Sequence, residues 1–329
     1  MQDIQHITIG ADADGQRLDR WLKKQLPRTP YALLQKMMRT GQIRIDGKRA
    51  KADQRLQHGQ VVRIPPAEEK DMSQTFVPKP GDKDLVRRMV IYDDGDVIVF
   101  NKPYGLAVQG GPSIPRHLDG MLPQLANEKG TPRLVHRLDR DTSGVLVCVR
   151  SLTAARRMGD LFAAHTLEKI YWAVVSPPPK QDHGVLDAAL IKGTIPPRKE
   201  SMIIDPVNGK PARTQYKVLE RTADNTAAAV AFWPRTGRTH QIRVHTADVM
   251  GCPIIGDEKY GPHHPEFDAM GIHPRLHLHA ARLTIPHPIT NIPMMFEAPL
   301  PSDLAGTCKI FGFNPVIPAD IFAEPVKRR

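Results

Sequence analysis

HRLDRDTSGVLVCV, residues 136–149, joins a polar loop to a β-branched apolar run. The run at 145–149 is typical of a buried strand, and a loop at the entrance of a strand is a common place for functional side chains. Asp139 stands between Arg137 and Arg140, and nearby cations keep a carboxylate ionised. An ionised carboxylate can act as a nucleophile or a base, or it can cap a turn as a structural residue. The residues alone leave both interpretations open.

A second polar run, RTGRTHQIRVH at 235–245, follows another apolar stretch. Thr239 is placed to cap a helix over 241–250. The side chains of Arg238, His240 and Arg243 then gather hydrogen-bond donors near a helix N-terminus, a setting that attracts anions. Phosphate binding, a salt bridge to a buried carboxylate and a solvated basic turn are all compatible with this pattern.

A third candidate is Tyr171 in the strand-like run KIYWA, residues 169–173. Apolar residues on both sides of the run predict partial burial of the tyrosine ring. A ring at the wall of a pocket can stack on a nucleobase, whereas an ordinary core tyrosine is the alternative.

The larger part of the chain has the pattern of an α+β domain, with a mixed, largely antiparallel sheet and flanking helices. Its short apolar runs predict strands, and 152–162 has helical spacing. We expect a catalytic domain over 84–305, an extended linker over 66–83 and an irregular tail over 306–329. The strand-forming runs are at 97–100, 145–149, 170–175, 227–232 and 276–285.

The net charge of +11 is concentrated near the N-terminus, where residues 15–65 hold 13 Lys and Arg against three Asp. Such a basic module favours a polyanionic partner, with nucleic acid ahead of a membrane. Helical spacing of apolar residues predicts two helices, the second capped by Thr29 and ended by Gly41. Asp46-Gly47 predicts a tight hairpin turn, and 61–64 a further strand.

This αα-β pattern, with GQIRIDGKRAKADQRLQHGQVVRI at 41–64, resembles an S4 RNA-binding domain. The resemblance covers 15–65 and implies that the basic helical face grips folded RNA. The implied RNA contacts are Arg17, Arg20, Lys23, Lys24, Arg28, Lys36 and Arg39.

Seven runs between 90 and 300 together resemble the RluA-type pseudouridine synthases that act on large-subunit ribosomal RNA. The runs, in order, are VFNKPYG (99–105), HRLDRDTSG (136–144), LEKIYWAVV (167–175), GKPARTQY (209–216), RTGRTHQIRVH (235–245), GCPIIGDEKYG (251–261) and LHLHA (276–280). The resemblance implies isomerisation of uridine to pseudouridine after the base is flipped out of its stack.

The resemblance also implies roles for individual residues. Asp139 matches the nucleophile, Tyr171 the tyrosine that stacks on the target base, and Arg243 the arginine that forms a salt bridge with the aspartate. Ile242 stands where the family has an apolar pocket residue, commonly leucine. Arg137 matches the residue that fills the gap left by the flipped base, and Arg238 and His240 are further candidates for substrate binding.

The sequence predicts neither cofactor nor metal. The three cysteines form no CxxC pair, and the histidines lack the spacing of a zinc motif. No apolar run approaches the ~18 residues of a membrane span, and no signal peptide is visible. We therefore expect a cytoplasmic protein that binds RNA, without a membrane partner, and that is a monomer, the usual state in this family.

Two other functions remain open at this stage. One is a non-catalytic RNA-binding factor of ribosome assembly on the same fold. The other is an N-glycosidase that uses Asp139 to release free uracil. The sequence does not specify the modified uridines, ribosomal against transfer RNA, or the route that Asp139 takes.

Overall fold

The computed structural model of the chain describes residues 4–26, 29, 31–66, 79–111, 114–195 and 198–323. It divides into two compact units, 1–77 and 78–329. None of the helices in these ranges is long and apolar enough to cross a bilayer.

The N-terminal unit is a four-stranded sheet with two helices. Its elements are β1 (Gln5–Thr8), α1 (Leu18–Gln25), α2 (Tyr31–Arg39), β2 (Arg44–Ile45), β3 (Lys48–Arg49) and β4 (Val61–Ile64), with strand order β1-β4-β2-β3. Leu34, Met37 and Met38 bury one side of α2, as their spacing predicts. Gly41 ends that helix at a φ of 72°, and Asp46 and Gly47 both have positive φ in the predicted hairpin turn.

Strand β1 was not predicted, because its residues are polar and mostly exposed, yet it pairs along its length with β4. Of the residues that form the predicted start of α2, Thr29 is described and buried, whereas Pro30 lies outside the described residues.

The C-terminal unit is built on a ten-stranded sheet, which confirms the predicted mixed, largely antiparallel α+β class. Its strands are β5 (Val90–Asp93), β6 (Val97–Lys102), β7 (Arg133–Leu134), β8 (Ser143–Val149), β9 (Glu168–Val175), β10 (His183–Asp187), β13 (Arg213–Arg221), β14 (Ala228–Pro234), β15 (Leu278–Pro286) and β16 (Pro293–Glu297), and the strands β11 (Leu190–Ile195) and β12 (Arg198–Ile204) form a separate hairpin. The order is β10-β13-β14-β9-β15-β8-β6-β5, with β16 on β15 and β7 on β8. The pair β15–β8 is parallel.

Six helices flank this sheet: α3 (Asp82–Arg88), α4 (Leu118–Met121), α5 (Leu152–Ala163), α6 (Gln241–Val244), α7 (Pro265–Ala269) and α8 (Ser302–Phe311). Helix α5 agrees with the predicted helix at 152–162, and Ser151 caps it by accepting a hydrogen bond from the Ala154 amide. The predicted helix at 241–250 is instead α6 followed by a π-helical turn, His245–Val249.

The central strands are buried on both faces, which is why their sequences are continuously apolar. In β9, Ile170, Trp172 and Val174 pack on one face with residues of α8 and the segment after it. Ala173 and Val175 pack on the other face, where Tyr171 and Ile242 also lie. The period of two along β9 therefore separates a structural face from the face that carries the candidate site.

Two helices extend across the predicted bounds of the catalytic domain at 84 and 305. Helix α3 begins at Asp82, which is fully buried and paired with Arg116, so the last part of the proposed linker belongs to the C-terminal unit. Residues 67–78 of that linker lie outside the described residues. At the other end, α8 runs through residue 305 because Leu304, Thr307 and Cys308 form a buried stripe at helical spacing. Among the described residues of the tail, 312–323 form no regular element, and Phe313, Ile317 and Ile321 there are buried.

Candidate active site

One cavity of about 370 Å³ collects the predicted catalytic and substrate-binding residues of the C-terminal unit. The loop before β8, strand β9 and the segment leading into α6 each supply part of its wall. The predicted residues that border it are Arg137, Asp139, Tyr171, Arg238, His240, Ile242 and Arg243.

Strand register explains why the loop of Asp139 meets Tyr171. Ala280 of β15 pairs with Tyr171 of β9 on one side and with Gly144 of β8 on the other. The start of β8 therefore lies two strands, roughly 10 Å, from Tyr171. Gly144 has a φ of 115°, and a Cβ at this position would collide with the Ala280 carbonyl group. Glycine is thus required where the loop that carries Asp139 enters the sheet.

The loop that carries Asp139 is held by Lys102, the lysine of the VFNKPYG run. Its ammonium group is fully buried and donates hydrogen bonds to the carbonyl oxygens of Pro103, Leu106 and Arg140, at 2.9, 2.9 and 3.0 Å. Burial lowers the pKa of Lys102 to about 7, against the opposing charges of Asp141 and Asp139. Because Arg140 follows Asp139 directly, this lysine fixes the backbone beside the candidate nucleophile.

Asp139 is partly exposed to the cavity, with 29% of its side chain accessible. The backbone turns immediately after it, since the Thr142 amide donates to the Asp139 carbonyl at 3.2 Å. Nε2 of His240 lies 3.9 Å from Asp139 Oδ2.

Arg243 does not form the expected salt bridge with Asp139. Its Nε and Nη2 donate to Oδ2 and Oδ1 of Asp257 at 2.8 and 2.6 Å, and both side chains are buried. Desolvation disfavours the charged guanidinium, but the hydrogen bonds and charge of Asp257, with a smaller contribution from Asp139, raise the pKa of Arg243. Arg243 thus faces the cavity as a fixed cation that acts on Asp139 through space.

His240 lies close to both Asp139 and Tyr260. Its Nδ1 lies 2.8 Å from the Tyr260 hydroxyl, and that hydroxyl accepts a hydrogen bond from the Met202 amide at 3.0 Å. His240 has a left-handed backbone, with a φ of 52°, at the residue before α6. Burial lowers the pKa of His240 in spite of the neighbouring Asp139 charge.

The predicted cap of α6 is also wrong. His240, not Thr239, precedes the helix, and its side chain makes no capping hydrogen bond. The Gln241 side chain holds the turn instead: its Oε1 accepts from the Arg238 amide and the Thr236 hydroxyl, and its Nε2 donates to the Arg213 carbonyl and the Thr214 hydroxyl. A buried glutamine with four partners replaces the cap that the threonine pattern indicated.

Tyr171 and Ile242 form the apolar part of the wall, and Leu278 adds to it. Burial, together with the charge of Asp139, raises the pKa of the Tyr171 hydroxyl, so the phenol stays protonated at neutral pH. Tyr171 makes no side-chain hydrogen bond to any residue in the described ranges, which leaves its hydroxyl available to a ligand.

Two predicted arginines lie at the edge of the cavity. Arg137 is exposed. Arg238 is anchored by one hydrogen bond from its Nε to the Pro211 carbonyl at 3.1 Å. Cations so placed can meet phosphate groups of a strand whose base enters the cavity.

The sequence did not single out Asp257, Tyr260 or His165 as site residues. Asp257 and Tyr260 lie in the GDEKYG run, which pointed to them only through the resemblance. His165 borders the cavity in a left-handed conformation, with a φ of 56°, and its buried Nδ1 has no partner among the described residues. A strained backbone and an unpaired ring nitrogen at a cavity are features that only the folded chain reveals.

Metal ligands are not gathered at this cavity in the described part of the chain. Among the described residues, the one cluster with suitable spacing lies outside the cavity lining. It consists of Asp94, Asp96 and His287, whose ligand atoms lie within 4.8 Å of one another. Asp94 already pairs with His287, and Asp96 with Lys129. His277 and His279 contact Thr307 and Ser143, respectively, and burial lowers the pKa of each imidazole to about 4.

The predicted RNA-contacting Lys and Arg side chains of the N-terminal unit are only partly paired with other groups of the protein. Arg17 is paired with Asp19 at 2.8 Å, and Lys23 donates to the Thr29 carbonyl. Four other predicted RNA contacts have exposed side chains that make no hydrogen bond within the described residues: Arg20, Lys24, Lys36 and Arg39. Arg28 lies outside the described residues.

This fold and this cavity are those of an enzyme that isomerises uridine in RNA, and comparisons with known proteins identify the family. A family model of RNA pseudouridylate synthases matches residues 96–248. The ribosomal large subunit pseudouridine synthase C of Vibrio vulnificus (strain CMCP6) is 38% identical over 307 residues, covering 92% of this chain and 94% of that protein. The protein of the same name from Escherichia coli (strain K12) is 36% identical over 308 residues, with 92% and 94% covered.

Solved structures agree. The human RNA Pseudouridylate Synthase Domain Containing 4 has a TM-score of 0.59 and 27% identity, covering 70% of this chain and 97% of that one. The human RNA Pseudouridylate Synthase Domain Containing 1 has a TM-score of 0.53 and 28% identity, covering 64% and 83%. The chain belongs to the RNA pseudouridylate synthase family, within its RluA-type branch, and it is an RNA pseudouridine synthase.

Proposed function

We propose that the protein converts specific uridines of large-subunit ribosomal RNA to pseudouridine, with Asp139 as the nucleophile. The observation that supports this most strongly is that Asp139, Tyr171 and Arg243 border one cavity. The full-length relatives named for the large ribosomal subunit support the choice of RNA.

The reaction breaks the bond between N1 and C1′, rotates the uracil, and joins C5 to C1′. The hydrogen at C5 leaves as a proton and N1 gains one, so that neither a redox partner nor water is consumed. The Asp139 carboxylate attacks the ribose or the ring, or assists elimination at the sugar. The Arg243 cation, held in place by Asp257, lines the same cavity as this carboxylate.

The remaining residues hold the base. Flipping a uridine out of its stack costs a few kcal/mol, which stacking on Tyr171 and contact with Ile242 offset in part. These apolar groups also keep the freed uracil away from water while it rotates. Arg137 enters the gap that the flipped base leaves, and Arg238 and His240 contact the substrate beside it.

The N-terminal unit supplies RNA affinity through its exposed cations, in the manner of an S4 domain. Phosphate contacts dominate such binding and position the RNA without reading its sequence. The enzyme acts in the cytoplasm, as a monomer and without a metal or cofactor.

Tritium at C5 of uridine tests the reaction. The enzyme is incubated with a ribosomal RNA transcript made from 5-tritiated uridine, and the released label is analysed by chromatography. Isomerisation releases tritium to water and leaves all bases in the RNA, whereas free tritiated uracil would show a glycosidase. RNA binding without either product would show a non-catalytic factor. Chemical mapping of pseudouridines in cells with and without the protein identifies the sites.

A further inference from the structure

A second cavity, of about 700 Å³, lies next to the catalytic one. The two share the turn from Gly237 to His240 as a common wall. The other walls come from the hairpin β11–β12 and from the segment that holds Asn208 and Lys210. Its volume falls within the roughly 300–1,000 Å³ that ligand sites occupy.

The walls of this second cavity are cationic. Lys192, Lys210, Arg238 and Lys259 all border it, and no carboxylate does so among the described residues. We call this cavity the basic cleft and define it by those four residues together with Ser201. A cavity lined by one sign of charge raises the local concentration of anions.

Lys210 is positioned by the backbone. Lys210 and Leu190 exchange two backbone hydrogen bonds of 2.9 Å, so the lysine is held against the first strand of the hairpin. Its side chain is exposed and forms no ion pair with the described residues. Lys210 belongs to the GKPARTQY run, none of whose residues lines the catalytic cavity.

Ser201 gives an independent sign of a ligand. It is 3% exposed, borders the basic cleft, and its hydroxyl has no partner among the described residues. A buried hydroxyl without a hydrogen bond is unfavourable by roughly 1–3 kcal/mol, so a bound group that accepts its proton would remove that cost. A phosphate oxygen is such a group.

The basic cleft is also joined to the catalytic residues by hydrogen bonds. Met202, next to Ser201, donates its amide to the Tyr260 hydroxyl, and that hydroxyl lies 2.8 Å from His240 Nδ1. His240 in turn lies 3.9 Å from Asp139. A strand bound in the cleft therefore lies against a hydrogen-bonded chain that ends at the catalytic cavity.

We propose that the basic cleft binds the phosphodiester backbone next to the target uridine, with Lys210 and Ser201 contacting a phosphate group. This inference rests on the proposed function, because an everted uridine in the catalytic cavity leads its strand past the shared turn at 237–240. The cleft positions the strand and does not read its bases, since lysine and serine contacts to phosphate carry no sequence information.

Replacing charged phosphates of the RNA by neutral methylphosphonates tests the proposal. The substrate is a synthetic RNA stem-loop that carries a mapped target uridine, with single phosphates near it replaced one at a time by methylphosphonates. We expect one or two positions to weaken binding to the native enzyme about tenfold. In the Lys210→Ala variant the same replacements should have little further effect, and the salt dependence of log Kd should fall by about one. Lys309→Ala, an exposed lysine on α8, is the matched control and should behave as the native enzyme.

Ser201→Ala separates ligand binding from folding. Since the hydroxyl has no partner among the described residues, its removal should leave the melting temperature unchanged or raise it, and yet weaken RNA binding several-fold. The proposal is overturned if both variants keep native affinity, native salt dependence and native sensitivity to every methylphosphonate. If the native enzyme binds the RNA but forms no pseudouridine, the proposed function fails, and the binding comparison still decides whether the cleft holds phosphate.

Discussion

Arg243 and Asp257 form a buried bidentate ion pair, with Nε–Oδ2 and Nη2–Oδ1 distances of 2.8 and 2.6 Å. Asp257 also accepts the backbone amides of Lys259 and Tyr260, both at 3.1 Å. Four donors thus converge on one carboxylate outside the residues matched by the family model. Asp257 is a positioning residue: it fixes the cation that faces the candidate nucleophile.

Asp257→Asn should therefore impair the reaction more than RNA binding. The amide keeps the shape and an oxygen acceptor for the backbone amides but removes the charge that orients the guanidinium. We expect kcat to fall roughly 10- to 100-fold, since small misplacements of a catalytic group have effects of this size. Kd for RNA should remain within about twofold, as measured by filter binding.

A similar ion pair elsewhere in the unit provides the control. Arg150 and Asp93 also form a bidentate pair, at 2.7 and 2.8 Å, and neither borders the catalytic cavity. Asp93→Asn should lower thermal stability and leave kcat unchanged. Equal loss of kcat in both variants would show that Asp257 acts only through stability.

Tyr171→Phe separates stacking from proton transfer. The phenylalanine ring retains the contact with the base, whereas the hydroxyl, which has no partner in the described residues, is lost. If the hydroxyl helps move the C5 proton, the single-turnover rate should fall about 100-fold or more, with Kd little changed. Tyr171→Ala should weaken both. A native rate in the phenylalanine variant would limit Tyr171 to stacking.

Buried histidines should make the fold sensitive to acid. Desolvation lowers the pKa of His136 to about 3 and the pKa values of His277 and His279 to about 4. Between these values and about 6.5 the unfolded chain binds protons that the folded chain does not, so stability falls as the pH is lowered. Near pH 5 we expect these three histidines together to bind about three protons when the chain unfolds. The free energy of unfolding should therefore fall by about 4 kcal/mol for each pH unit of acidification.

Calorimetry across pH 7 to 5 measures this proton uptake. His136→Gln should remove about one proton from it. A flat dependence of stability on pH above 5 would contradict the assignment of neutral, buried imidazoles.

The N-terminal unit should set the salt dependence of RNA binding. Replacing Arg20, Lys24, Lys36 and Arg39 together by alanine removes four exposed cations that make no side-chain hydrogen bond within the described residues. We expect the slope of log K against log salt to fall by about three to four, with kcat at saturating RNA unchanged. An unchanged slope would show that RNA does not contact this face.

The sequence predicted the sheet well because its central strands are buried on both faces and therefore read as unbroken apolar runs. It missed β1, since a polar, exposed edge strand has no alternation to detect. It placed the start of the tail inside α8, where Pro301 and Gly306 weaken the helical pattern although the buried stripe of Leu304 and Cys308 sustains it.

Residues that line the cavity were predictable where local pattern and resemblance agreed, as for Asp139 and Tyr171, whose catalytic roles stay predictions. The partner of Arg243 was not, because Asp257 lies 14 residues away and meets it only in the folded chain. The role of Gln241 was hidden for the same reason: a threonine in a capping position is a local signal, whereas the four partners of the glutamine come from two segments, 213–214 and 236–238.

Asp139→Asn, assayed with 5-tritiated RNA and by filter binding on the same preparation, tests the central claim most directly. We predict complete loss of tritium release, with Kd for RNA near that of the native enzyme and an unchanged melting temperature. Continued tritium release by the pure variant would contradict the assignment of the Asp139 carboxylate as the nucleophile.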